Sequence, residues 1–163
     1  MSGMSTAQII VVSDRALDDP SENRAGPILE TCLRDLGLDV ATSVVAASAE
    51  SVDEALAAAV AVADVVVTAG GTGIRPGDVV VDRTVALGLV ELPGIAEEIR
   101  RRGAEKTSVS LLSRATAGVV DRDGRRVVVV NAPSSRGGSK DVVAVLNDVL
   151  PHLLRDLAGE SRD

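Results

Sequence analysis

The chain has 163 residues, 45% of them hydrophobic, and holds no Phe, Tyr or Trp, so Val, Leu, Ile and Ala must fill its core and no ring of its own can stack on a bound heterocycle. A net charge of −7 argues against nucleic-acid and membrane partners, because both polyanions are repelled. One Cys and one His exclude an intrachain disulfide and a multi-Cys metal site, and argue against a His-based metal site or a Ser-His-Asp triad.

In chain order, Gln8–Val12 is expected as a buried strand ended by Ser13-Asp14-Arg15, with a polar loop to Asn23. Gly26-Pro27 opens a helix whose apolar residues Ile28, Leu29, Cys32, Leu33 and Leu36 share a face, with Gly37 as its C-terminal cap. Asp39–Val45 is the second strand. An Ala-rich helix follows, capped at Ser48 or Ser51 and ending near Ala63. Val65–Thr68 is a short third strand that runs into Ala69-Gly70-Gly71-Thr72-Gly73. Ile74–Val81 is irregular, Asp82 caps a short helix to Leu89, and Pro93-Gly94 opens a helix to Arg102 closed by Gly103. Ser110–Arg114 is ambiguous. Thr116–Val120 and Arg126–Val130 flank an Asp-Gly turn and form a hairpin, with the all-Val Val127–Val130 as a central strand. Asn131–Gly138 is a polar loop, and Ser139 caps a last helix that Pro151 should kink.

The alternation of strands and helices predicts an α/β fold: three layers, a mostly parallel sheet with helices on both faces, and a small β-hairpin. One domain is expected over 1–163, with its core at about 8–157. No apolar run approaches the roughly 20 residues of a membrane helix, and no signal peptide precedes Ala7, so a cytoplasmic protein is expected. In such sheets the loops after parallel strands open at the carboxyl edge, where ligands bind. Ser13-Asp14-Arg15, Ala46-Ala47-Ser48, Gly70–Gly73 and Asn131–Gly138 are those loops, and Ser113-Arg114 approaches from the side.

Gly70, Gly71 and Gly73 leave no Cβ to block an anion and allow successive backbone N–H groups to converge on a phosphate; Thr72 adds a hydroxyl. The competing reading is a tight turn after a buried strand. Asp78 lies near that cradle, and a carboxylate beside a phosphate calls for a cation between them, most simply Mg²⁺; otherwise it is a solvated loop residue. Pro133, Ser134, Ser135, Arg136 and Gly137, ahead of a helix, suit an oxyanion, with Arg136 able to pair with phosphate, or they form a flexible connection. Ser113-Arg114 is a ligand clamp or a capped turn. Glu97 and Arg100 are spaced to pair on a helix face. Cys32 is expected in the core and His152 at the surface.

Taken together and in order, Ser13-Asp14-Arg15, Gly26-Pro27, Thr68–Gly73, Asp78, Pro93-Gly94 with Glu97 and Arg100, Leu112-Ser113-Arg114 and Asn131-Ala132-Pro133 resemble the MogA/MoaB family of molybdenum cofactor biosynthesis proteins over about Gln8 to Leu157. The resemblance implies a molybdopterin-binding domain, commonly trimeric. It also implies, in the active members, adenylyl transfer from Mg-ATP to the phosphate of molybdopterin. On that basis Asp78 is the expected catalytic and Mg²⁺-holding residue. Ser13, Asp14, Gly70–Gly73, Ser113, Arg114 and Pro133–Gly137 are the expected ligand-binding set, with ATP as co-substrate. Three departures stand out. The family's Pro-Asp after the second strand is Ala46-Ala47, an Arg before the Asp is Gly77 with Arg75 two residues away, and Leu-Pro-Gly-Ser-Pro is Ala132-Pro133-Ser134-Ser135-Arg136. Two functions therefore compete: a molybdopterin adenylyltransferase, and a non-catalytic pterin-binding homologue that lost its carboxylate at Ala47.

Overall fold

The computed structural model describes residues 3–160. Six strands form one sheet in the order β2-β1-β3-β6-β5-β4: β1 (Thr6–Val12), β2 (Asp39–Val45), β3 (Val65–Ala69), β4 (Val90–Glu91), β5 (Ala117–Arg122) and β6 (Arg125–Ala132). β1, β2, β3 and β6 run parallel, while β5 lies antiparallel to both β6 and β4. The helices are α1 (Asp14–Asp18), α2 (Ala25–Asp35), α3 (Ala49–Val62), α4 (Val80–Val85), α5 (Pro93–Ala104) and α6 (Arg136–Leu157).

Successive residues of a strand face opposite sides, and the two cores divide accordingly. Ile9, Val11, Val65, Val67, Val128 and Val130 pack with Leu29 and Leu33 of α2, Ile99 of α5, and Val142, Leu146 and Leu150 of α6. Ile10, Val12, Val66, Val127 and Val129 pack on the other side with Val52, Leu56 and Val60 of α3 and Val80 of α4. A strand buried on both faces has no polar alternation, which is why Val65–Val67 and Val127–Val130 read as unbroken Val. The β-branched side chain suits this environment because its χ1 is already restricted. The three-layer α/β arrangement, the hairpin and the central place of Val127–Val130 are as expected. At the hairpin tip Asp123 and Gly124 both take positive φ, 54° and 79°, the backbone that a two-residue turn between twisted strands requires.

Several boundaries differ from the expectation. The loop to Asn23 contains α1, capped by Ser13, and a 3-10 turn over Pro20–Glu22 capped by Asp19; short capped turns leave little periodic signal. Ser48, rather than Ser51, caps α3 by accepting from the Ser51 N–H. Asp82 does not cap a helix: the residue before α4 is Val79, and Asp82 lies in the first turn facing Arg114. Gly103 does not end α5. It is buried within the helix, where a Cβ would collide with Ser110 Oγ, so the glycine serves close packing. The ambiguous Ser110–Arg114 belongs to a 3-10 turn over Ser108–Leu112 and its exit. Asn131 and Ala132 belong to β6, which leaves Pro133–Ser135 as the loop. Ser135 caps α6 by accepting from Gly138 N–H at 3.1 Å, while Ser139, buried one turn further on, donates back to Ser135 O at 2.7 Å. α6 continues through Pro151 to Leu157; buried Leu146 and Leu150 anchor the turn before the proline to the sheet.

Candidate functional site

The chain passes from β1 outward to β2 and returns to the other side of β1 as β3. Such a reversal opens a crevice at the carboxyl ends of the strands. Gly70 sits in it with φ +103°, where a Cβ would lie 2.5 Å from Val12 O, so only glycine lets β3 leave so close to the end of β1. Its N–H is spent on Ala132 O at 2.9 Å. The next three residues differ: the N–H groups of Gly71, Thr72 and Gly73 make no hydrogen bond to any described residue. Gly71 has φ +66° and packs against Val80, and a Cβ on Gly73 would lie 2.7 Å from Asp78 Oδ2. The loop is therefore a bare stretch of backbone donors, with its side-chain space already taken by neighbours.

A cavity of about 640 Å³ opens over this loop, lined by Gly70–Gly73, Arg75 and Asp78 on one side and by Pro133, Ser134, Ser135, Gly137 and Gly138 on another. The second group is the entry to α6, whose first N–H groups have no intrahelical partner and carry the positive end of the helix dipole. Gly138 is required there because a Cβ would strike the Pro133 ring. Two sets of backbone donors thus face one space. Asp78 is half-buried beside them, and its Oδ2 accepts from Arg75 N–H at 3.0 Å, closing the turn after the glycines.

Not every expected residue lines the cavity. Ser113 does, but Arg114 braces the loop from outside. Its N–H donates to Thr72 O at 2.7 Å, its Nε to Gly73 O at 3.1 Å and its Nη2 to Asp78 O at 3.3 Å. The guanidinium also grips both Asp82 oxygens at 3.0 and 3.1 Å. That bond holds the Asp82 carboxyl below its usual range. Ser13 and Asp14 lie outside the cavity: Ser13 caps α1, and Asp14 Oδ1 accepts from Ala47 N–H at 3.0 Å. Arg136, the exposed first residue of α6, also lies outside the lining. Glu97 and Arg100 do not pair. Arg100 lines the cavity and donates to the carbonyls of Ser113 and Ala115 at 3.4 and 2.7 Å, while Glu98 takes Arg101 and Arg102, whose hydrogen bonds lower its carboxyl to about 2. Cys32 is buried as expected, and desolvation pushes its thiol up to about 11. His152 is exposed beside Arg155.

Sequence reasoning passed over the end of the cavity remote from the glycines in the chain, formed by α5, the Ser108–Leu112 turn and Asp141 of α6. Asp141 is 6% exposed, and its Oδ1 accepts from Lys106 Nζ at 2.6 Å. The available signal was an acidic residue four positions before Val145, on the apolar stripe of the last helix. Asn131 is expected in the loop. Instead it is buried and lines the cavity, giving Nδ2 to Thr68 Oγ1 and Thr84 Oγ1 and accepting Thr116 N–H, so it ties β3, α4 and the entry to β5 together. No group of three or more His, Cys, Asp or Glu side chains among the described residues could hold a metal ion, and no described helix is long and apolar enough to cross a membrane.

Fold and cavity together define the class: a doubly wound α/β domain whose cleft lies at the carboxyl edge of its parallel strands. The model of the probable molybdopterin binding domain matches residues 8–153, and the chain belongs to that family, the MogA/MoaB group of molybdenum cofactor biosynthesis proteins. It is 33% identical over 149 residues to a molybdopterin adenylyltransferase of Pyrococcus furiosus, covering 90% of this chain and 88% of that protein. It is 32% identical over 155 residues to a molybdenum cofactor biosynthesis bifunctional protein of Synechococcus elongatus, covering 94% of this chain but 47% of that one, so the chain spans about half the length of that relative. The solved structure of the molybdopterin biosynthesis Mog protein from Mycobacterium ulcerans superposes with a TM-score of 0.88 at 41% identity, over 98% of this chain and 100% of that one.

Proposed function

We propose that the protein acts in molybdenum cofactor biosynthesis, as one domain that binds molybdopterin and transfers the adenylyl group of Mg-ATP to its phosphate, working as a cytoplasmic homotrimer. The observation that carries this reading is the run of backbone N–H groups at Gly71, Thr72 and Gly73, without protein partners, in the same cavity as Asp78 and the N-terminus of α6. The name of the Pyrococcus relative supports the activity.

An acceptor phosphate held by these amides is fixed in place while its oxygen attacks the α-phosphorus of ATP and pyrophosphate leaves. Such a transfer depends on positioning and on neutralising charge, which the loop amides and the α6 N-terminus supply. Asp78 fits a Mg²⁺ ion shared with nucleotide phosphates, since Mg²⁺ commonly takes one or two carboxylates and completes its shell with phosphate oxygens and water. The ion would supply charge neutralisation at the transferring phosphoryl group.

One observation favours a second reading, binding without transfer. At the end of β2 the position of the family's carboxylate is Ala47, whose N–H is taken by Asp14. Incubating purified protein with molybdopterin and Mg-ATP and resolving the pterins by chromatography separates the two. Transfer predicts adenylated pterin, with the rate falling about 10²–10³-fold in Asp78→Asn. Pterin binding without product establishes the second reading, and an undiminished rate in Asp78→Asn removes Asp78 from the site.

A further inference from the structure

The cavity lining carries two contrasting kinds of polar group. At Gly71–Gly73 it offers backbone N–H donors without a partner among the described residues. Asp141, in the second turn of α6 and 6% exposed, lines the same cavity with a carboxylate. Lys106 occupies one oxygen, Oδ1. Oδ2 has no partner among the described residues, and no buried side-chain N or O in the described structure is without one; Oδ2 therefore reaches open space, which at this position is the cavity. A Cβ built on Gly103 would lie 3.5 Å from Oδ2 and collide with Ser110 Oγ, so the glycine leaves room where the carboxylate and a hydroxyl converge. Ser110 Oγ likewise makes no bond to a described residue. Ala96, Ile99, Val109 and Leu112 supply aliphatic walls beside this acceptor pair.

We propose that Asp141 selects the heterocycle of the ligand, its carboxylate accepting from the amino and ring N–H donors of a 2-amino-4-oxopyrimidine edge while the ligand's phosphate lies on Gly71–Gly73. The inference rests on the reading of that loop as the phosphate seat. A carboxylate repels a second anion, and Lys106 already balances its charge, so an added metal ion is disfavoured. Adjacent N–H donors on a flat ring match both the acceptor and the aliphatic walls. A buried acceptor left unpaired is costly, so a ligand that presents oxygen at this edge is rejected.

The test uses three probes, read by calorimetry: the phosphomonoester of 6-hydroxymethylpterin, the corresponding lumazine in which oxo replaces the 2-amino group, and guanosine monophosphate, which shares the edge on another ring. The wild type is expected to bind the pterin at least about tenfold more tightly than the lumazine, and Asp141→Asn to bring that ratio close to one. Lys106→Met, which keeps the acceptor, is expected to preserve the ratio; its collapse there means Asp141 acts only as an anchor for Lys106 and overturns the proposal. Equal wild-type affinity for pterin and lumazine also overturns it, while leaving the phosphate seat intact. Absence of binding by any probe overturns the proposed function itself. Asp141-dependent binding of guanosine monophosphate alone supports the edge selection and overturns the pterin assignment.

Discussion

Gly70 carries much of what makes the cleft possible. Its φ of +103° and the 2.5 Å between a hypothetical Cβ and Val12 O mean that a side chain there must both adopt a strained backbone and push β1 and β3 apart. Gly70→Ala is expected to cost about 1–3 kcal/mol, measured by urea unfolding. It should also weaken phosphate binding, because the displaced strand end carries the three donor amides with it. Gly77 makes a useful contrast: nothing lies within 4 Å of a Cβ there and its φ is unremarkable, so Gly77→Ala is expected to leave stability within about 0.5 kcal/mol of wild type. A glycine count alone does not separate the two positions.

Between elements, Arg114 is the bond that holds the cradle's shape. One side chain reaches the carbonyls of Gly73 and Asp78 and the carboxylate of Asp82 on α4, joining the strand entering β5 to both ends of the glycine loop. The pair with Asp82 is exposed, so its contribution to global stability is small; its effect is local order. Asp82 has a lowered pKa. The stabilisation from this pair is therefore present above the ordinary carboxyl value of 3.8 and is lost as pH falls through the depressed one. Hydrogen exchange of the Arg114 N–H, which is bonded to Thr72 O, checks this. Its protection should persist at pH 5 and drop, relative to core amides, only below about pH 4. Arg114→Met should show the reduced protection at every pH. Protection in that variant equal to wild type would mean the backbone bond alone holds the loop.

At the scale of the whole molecule, the cavity belongs to no single segment. Its walls come from the β3 loop, α5, the turn at Ser108–Leu112 and the entry to α6, brought together only when the two cores close on both faces of the sheet. A ligand seated there binds the folded chain and not the unfolded one, so it must stabilise the whole. At a hundredfold excess over its Kd, a phosphorylated pterin is expected to add about 2.7 kcal/mol and raise Tm by about 5–10 °C, followed by calorimetric scanning. Inorganic phosphate at an equal saturation ratio should give a comparable shift unless it also binds the unfolded chain, so a lower absolute affinity is its expected distinction.

The chain by itself determined the layers, the parallel strands and the glycine cradle. Those follow from short-range signals: unbroken Val runs for strands buried twice, helical spacing in Ala25–Asp35 and Arg136–Leu157, an Asp-Gly pair at the hairpin, and three glycines leaving a strand. Tertiary structure alone decided that Gly103 packs rather than caps, that Arg114 clasps Asp82 rather than lining the cavity, that Asn131 is buried in a hydrogen-bond network, and that Asp141 lines the cleft with a carboxylate. Most of these depend on a partner tens of residues away, as Arg114 with Asp82 or Lys106 with Asp141. No local pattern encodes such a partner, because it is the closing of the sheet and its helices that sets which side chains meet.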